Sequence, residues 1–353
     1  MAKIFPFPAL KANSPLLAFL LFAGPVLPVA NAQEVDAPRP EIPAPPVTDS
    51  EPDSQNSAQT LPTEPAITPQ ADDVEIQKLL SKLANAVTSL EYRGFATFEH
   101  AGVMESVEVV HGIRSGEPVE RIRFLTGAPR EMVSRGQDAQ CRRDGSPLSR
   151  AGLWSSVGLQ NVQGNYQFVL RGEERIADRD AVVLEARPRD VHRFGMVVSV
   201  DRETGLPLKS LLVAPSGRLL ERFQFVELDL APIADSDLQP HSDSARESEG
   251  VGHCGSLVSR WQLNWVPNGF KAVAARELVD GEMQVFSDGL SAFTVFVQKL
   301  GPNMNYRGRA VRGATVAYMD QFEINNEHYT VTVVGEIPDN TALLVAKSVK
   351  TRQ

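Results

Sequence analysis

From Tyr92 to Asp229 apolar residues recur at every second position in short runs, and this period of two leaves the chain little freedom. Successive side chains of a strand point to opposite faces, so each run has one apolar face that must be buried. The pattern predicts strands over Tyr92–His100, Met104–Arg114, Glu120–Leu125, Glu131–Arg135, Tyr166–Arg175, Ala181–Arg187, Phe194–Asp201, Leu208–Val213 and Leu219–Asp229. Ala101-Gly102, Ser115-Gly116 and Ser216-Gly217 fit tight turns, and loops that short make neighbouring strands antiparallel. Ahead of the strands, Val74, Leu79, Leu80, Leu83, Val87 and Leu90 recur mostly at steps of three and four. With Asp72 and Asp73 as N-cap oxygens, they predict a helix to about Ser89 that turns one stripe to a core. One helix and so many antiparallel strands predict a large, twisted sheet with something packed on its concave face.

The remaining sequence divides around this block. Lys3 and Lys11 precede an apolar run, Leu16–Val29, that ends at Ala30-Asn31-Ala32. This is the pattern of a secretory signal peptide over residues 1–32, cleaved after Ala32. Broken by Pro25 and Pro28, the run is short for the roughly 20 residues of a spanning helix. Residues 33–70 are Pro-rich and acidic with almost no aromatic content, and read as a disordered tether. Residues 233–256 form a second acidic, polar stretch, read as a linker between a domain at 71–232 and a small α+β domain at 257–353. A helix is expected at the end of the latter, from about Asn340 to Lys350, after Pro338.

Net charge is −9 over 353 residues, distributed as +2 for 1–32, −6 for 33–70, −2 for 71–232, −4 for 233–256 and +1 for 257–353. The folded parts are near neutral, and a nucleic-acid partner, which needs a clustered cationic face, is not expected. Only Cys141 and Cys254 serve an oxidising compartment, and the sequence leaves open whether they pair.

The patterns of common catalytic sites are missing: His-Glu-x-x-His, Gly-x-Ser-x-Gly, a phosphate loop and Cys-x-x-Cys. Gly250, Gly252 and Gly255 match Gly-x-Gly-x-x-Gly but lie in the acidic stretch, with no preceding strand to aim amides at a pyrophosphate. His253 and Cys254 are neighbours without a rigid scaffold, and His100, His111, His192, His241 and His328 show no ligand spacing. Neither an enzyme nor a metal or other cofactor is expected.

Residues 71–232 hold eighteen Arg against three Lys. Cross-strand ion pairs with the equally abundant Asp and Glu explain this; a ring of Arg around a cavity that takes an anionic ligand is the sharper reading. Phe98, Val107, Val109, Ile122, Phe124, Met196, Val198, Phe223 and Phe225 alternate along the strands. They form a core or, in a sheet too large to close tightly, line a space for an acyl chain. Phe98, Val109, Phe124, Met196, Val198, Phe223 and Phe225 are the ligand candidates.

YRGFATFEHAGVMESVEVVHGIRSGEPVERIRFLTGAPREMVSRG, then GEERIADRDAVVLEARPRDVHRFGMVVSVDRETGLPLKSLLVAPSGRLLERFQFVEL, then WVPNGF and FSDGLSAFTVFV, taken in order after a signal peptide, resemble the MucB/RseB family of periplasmic regulators of the envelope-stress sigma factor. The resemblance covers about residues 75–350; TGAPREMVSRG, DRETGLPL and FSDGLSAF are its most telling parts. It implies a first domain like the periplasmic lipoprotein carriers, a half-open antiparallel β-barrel, and a smaller C-terminal α+β domain. It also implies a partner, the periplasmic region of a membrane-anchored anti-sigma factor, shielded from regulated proteolysis until a lipid or lipopolysaccharide signal loosens the complex. Trp265, Phe270, Phe286, Leu290 and Phe293 are the candidate partner residues, with a plain core role as the competing reading. A lipid or lipoprotein carrier without anti-sigma function is the alternative, and homo-oligomerisation stays open. The Pro-rich tether, the polar stretch before 256 and the two cysteines depart from the family pattern.

Overall fold

The computed structural model describes residues 71–135, 162–242, 245–249, 258–301 and 307–352, and Ala66–Gln353 form one compact unit. Cys141, Cys254, the glycine pattern at 250–255 and the segments before residue 71 lie outside the described residues.

Helix α1 (Ala71–Ser89) leads into β1 (Tyr92–His100), β2 (Val103–Arg114), β3 (Glu117–Phe124) and β4 (Arg130–Arg135). β5 (Tyr166–Ile176), β6 (Arg179–Pro188), β7 (Gly195–Asp201), β8 (Pro207–Val213) and β9 (Leu219–Asp229) follow, then a 3-10 turn η1 (Asp235–Leu238) and β10 (Arg246–Glu249). These strands form a ten-stranded sheet in the order β10-β4-β3-β2-β1-β9-β8-β7-β6-β5. Its edge strands, β10 and β5, do not pair with each other, so the sheet is open, as expected. The hairpin turns carry the left-handed backbone they need: Ala101 and Gly102 at φ 49° and 77°, and Ser115 and Gly116 at 54° and 81°.

The stretch expected as a plain polar linker is ordered in its described part. Leu238 is 1% exposed and packs with Ile233 against Val110, Val119 and Val133, on the face of β2–β4 turned away from α1. Arg121, 2% exposed, lies between Glu108 (3.2 Å) and Glu131 (3.0 Å) and donates to the Asp237 carbonyl at 2.6 Å. His241 donates its amide to Glu131 at 3.0 Å. The stretch then adds β10 to β4, the one parallel pair in the sheet. Composition hid this because a few apolar residues, Ile233 and Leu238, suffice to hold a strap over a sheet that is already apolar there.

The C-terminal part holds β11 (Trp261–Leu263), β12 (Lys271–Leu278), β13 (Gly281–Ser287), β14 (Ala292–Lys299), β15 (Gly308–Arg312), β16 (Thr315–Ile324), β17 (Glu327–Gly335), α2 (Asp339–Lys347) and β18 (Val349–Thr351). Six strands pair as β12-β13-β14-β17-β16-β15, and α2 packs on β16 and β17. The last helix is shorter than expected. It stops at Lys347, where Ser348 donates its hydroxyl to Val345 and Trp265 carbonyls, and Val349–Thr351 pair with β11 instead of continuing the helix.

Candidate functional site

Cross-strand register decides which side chains share a face, because directly opposed residues point the same way. Val198 pairs with Ser210, Ser210 with Phe223 and Phe223 with Phe98. Phe225 pairs with Ala96, Ala96 with Val107 and Val107 with Phe124. With Met196 and Val109 at even steps from these, all seven ligand candidates lie on one face of the sheet. They divide between two clusters. Met196 and Val198 sit under α1 with Ile76, Leu80, Leu83 and Leu184, whereas Val109, Phe223 and Phe225 pack with Ile122 and Leu208. Those five are buried; Phe98 and Phe124 are only partly so, packed against the second cluster. The face is thus a packed interior over most of its area, with partly exposed aromatics at Phe98 and Phe124 beside the second cluster and at Phe168 beside the first. Arg130 lies 3.8 Å over the Phe124 ring and pairs with Glu105, His100 Nε2 lies 3.2 Å from Glu105, and Phe98 stacks on His100. Several of the arginines form cross-strand pairs, among them Arg123–Glu108, Arg171–Glu185 and Arg179–Asp201.

Four of the five partner candidates are buried and the fifth, Trp265, is half-buried. Phe270, Phe286 and Phe293 are 4%, 6% and 1% exposed, and the rings of Phe270 and Phe286 each lie 5.1 Å from that of Phe293. Half-buried Trp265 packs against the same cluster and meets His192 edge-on at 5.2 Å. Leu290, 3% exposed, leaves that cluster and joins the one beneath α1. The burial of Phe270, Phe286 and Phe293 is that of core residues.

Besides Leu290 and Trp265, polar residues that were not among the candidates join the two sheets. Arg193, wholly buried, donates to Asp288 at 2.5 Å, to Asp190 at 2.9 and 3.1 Å, and to the Asn268 carbonyl. Its guanidinium lies 5.1 Å from the Phe270 ring centre and 5.5 Å from that of Tyr166. The Tyr166 hydroxyl donates to Asp288 at 3.1 Å, and the amides of Leu290 and Ser291 donate to its other oxygen at 2.9 and 2.7 Å. Burial pushes the Asp288 carboxyl up against the pull of the Arg193 charge and these donors; Arg193 is raised because its carboxylates outweigh the burial that would lower it. The two shifts oppose each other. With four donors on two oxygens, the ionised aspartate is the form this geometry holds. Burial also drives the Tyr166 hydroxyl well up, so it stays a donor. A second bridge runs from the Ala314 amide to Glu221 at 3.1 Å. Arg193 and Asp288 are 95 positions apart, and only the FSDGLSAF motif that contains Asp288 could have drawn attention to either.

Two sheets of this topology, joined at the FSDGLSAF turn, match proteins already known. The MucB/RseB N-terminal domain model matches residues 75–242 and the MucB/RseB C-terminal domain model residues 256–350. The chain belongs to the MucB/RseB family. The Sigma factor AlgU regulatory protein MucB of Pseudomonas aeruginosa is 34% identical over 297 residues, covering 80% of this chain and 93% of that protein. The Sigma-E factor regulatory protein RseB of Escherichia coli K12 is 28% identical over 296 residues, covering 77% and 89%. The structure of the Pseudomonas aeruginosa MucA/MucB complex matches with a TM-score of 0.64 at 32% identity, covering 79% of this chain and 99% of that one. A crystal structure of MucB in complex with MucA(peri) matches with a TM-score of 0.62. The MucB/RseB relatives are named as regulatory proteins. Among the described residues, no helix is long and apolar enough to cross a membrane and no group of His, Cys, Asp and Glu is placed to hold a metal ion.

Proposed function

We propose that this chain is an exported regulator of an envelope-stress sigma factor. In this reading residues 1–32 are removed after Ala32, and residues 33–70 lead into the folded part, which acts in the periplasm. The folded part binds the periplasmic region of a membrane-anchored anti-sigma factor and shields it from regulated proteolysis; no catalytic step of its own is involved. The observation that carries the reading is the match, over nearly the whole of that chain, to MucB bound to MucA.

The lipid signal would act on the first domain. Support comes from one apolar sheet face carrying Phe98, Val109, Phe124, Met196, Val198, Phe223 and Phe225, with Phe98 and Phe124 partly exposed beside Arg130. Burial of about 0.8 kcal/mol per methylene makes an acyl chain an adequate guest for such a face, and the guanidinium suits an anionic headgroup. A guest shifts the grip on the partner only by its differential affinity for the bound and released states.

Isothermal titration of the mature chain with the anti-sigma periplasmic fragment from the same genome tests this. Saturable binding at micromolar concentration or below is expected, weakened by added lipopolysaccharide. Stoichiometric co-purified lipid without any affinity for the fragment would instead favour a lipid carrier.

A further inference from the structure

The Ser287–Ser291 turn joins β13 to β14, yet its central apolar residue does not serve the core of its own sheet. The cluster of Phe270, Phe286, Phe293 and Val333 excludes Leu290, which belongs instead to the buried cluster that also holds Ile76, Leu80, Leu83, Tyr166, Met196 and Val198. We propose that Leu290 is a built-in plug, a side chain of the C-terminal domain that fills the α1-covered part of the first domain's apolar interior where an acyl chain would lie. The proposal rests on the reading that this interior takes a lipid.

The turn is constructed to present that side chain in one position. Asp288 Oδ1 accepts the amides of Leu290 and Ser291, Ser287 Oγ accepts the Gly289 amide at 3.1 Å and donates to the Ser291 carbonyl at 3.1 Å, and Gly289 takes φ 101°. The other Asp288 oxygen receives Arg193 and Tyr166 from the first domain. One carboxylate therefore shapes the turn and latches it. Tyr166 belongs to the very cluster that Leu290 enters. A chain that expels Leu290 from beneath α1 must strain the Asp288 contacts, so filling the interior and holding the two sheets together become competing events. Close packing leaves no third choice, since a filled apolar site cannot take a guest without losing an occupant.

The test titrates cis-parinaric acid, an intrinsically fluorescent fatty acid, into the mature wild-type chain and three variants. Leu290→Ala removes the plug. Asp288→Asn keeps Leu290 and the turn's acceptor but weakens the hold of Arg193. Val279→Ala, at a site 99% exposed, is the control. Leu290→Ala and Asp288→Asn should bind the probe at least about fivefold more tightly than wild type, the low end of ordinary coupling factors, and Val279→Ala should match wild type. If Leu290→Ala does not fold, as circular dichroism will tell, Asp288→Asn carries the test alone. Folded variants that bind no more tightly than wild type overturn the plug, as does failure of every chain to take the probe. Titration of wild type with the anti-sigma fragment keeps the two ideas apart. Fragment binding with unchanged probe affinities removes the plug and leaves the regulator; tightened probe binding without fragment binding does the reverse.

Discussion

Two buried arginines, Arg121 and Arg193, do similar chemistry in different places. Each is almost wholly shielded, flanked by two carboxylates and bonded to a backbone carbonyl: Glu108, Glu131 and Asp237 for Arg121, and Asp190, Asp288 and Asn268 for Arg193. Arg121 fastens the strap at 233–241 to its own sheet. Arg193 fastens one sheet to another. Removing a partner from a buried ion pair strands a charge, which is why both sites are costly to break. What differs is what comes apart: the first secures a single folded unit, whereas the second governs whether two units move together.

This contrast is open to direct attack. Arg121→Ala leaves Glu108 to Arg123 and buried Glu131 to the His241 amide, releases the Asp237 carbonyl of the strap, and should cost about 3–5 kcal/mol, seen in calorimetry as one transition moved to lower temperature. Arg193→Ala should cost about 3 kcal/mol, because Asp288 keeps its other donors, and should resolve the unfolding into two transitions as the sheets uncouple. A single shifted transition for Arg193→Ala would erase the distinction. Tyr166→Phe removes one donor from Asp288 and should cost about 1 kcal/mol in chemical denaturation, with the ring contacts preserved.

The smallest effect is one of pH. Glu91 is held below its ordinary range by the amides of Ile233 and Ile113 and by Arg114; Asp190, though burial pushes it up, is drawn below its range by Arg193 and the His192 amide. A carboxyl lower in the folded than in the unfolded chain stabilises the fold above its unfolded value, and that share is lost as pH falls through the folded one. The melting temperature should therefore hold from neutral pH down to the ordinary carboxylate range and decline below it. Arg193→Ala should flatten the share that belongs to Asp190, and Arg121→Ala should leave it.

The sequence made the first sheet legible because each strand there buries one face. β1 and β9 begin and end where the alternation of Tyr92–His100 and Leu219–Asp229 does, and the shared face of the ligand candidates follows from the same period. Elsewhere local pattern lost to contacts between distant residues. The helix expected to reach Lys350 gives way to β18 because Val349 has Leu263 to pair with. The strap at 233–241 reads as polar because most of its residues do face water. Arg193 and Asp288 are invisible one at a time, since a buried ion pair has no sequence period and its halves lie in different domains. Phe270, Phe286 and Phe293 misled in the opposite direction, for aromatic richness marks a core and a docking surface alike.

Whether this chain grips the periplasmic part of a membrane-bound inhibitor of a sigma factor is open to one direct experiment. The purified mature chain, mixed with that inhibitor fragment and the protease that cuts it first, should slow the cleavage in proportion to its own concentration until the fragment is saturated. Cleavage at the same rate with and without a large excess of the chain would contradict such a grip.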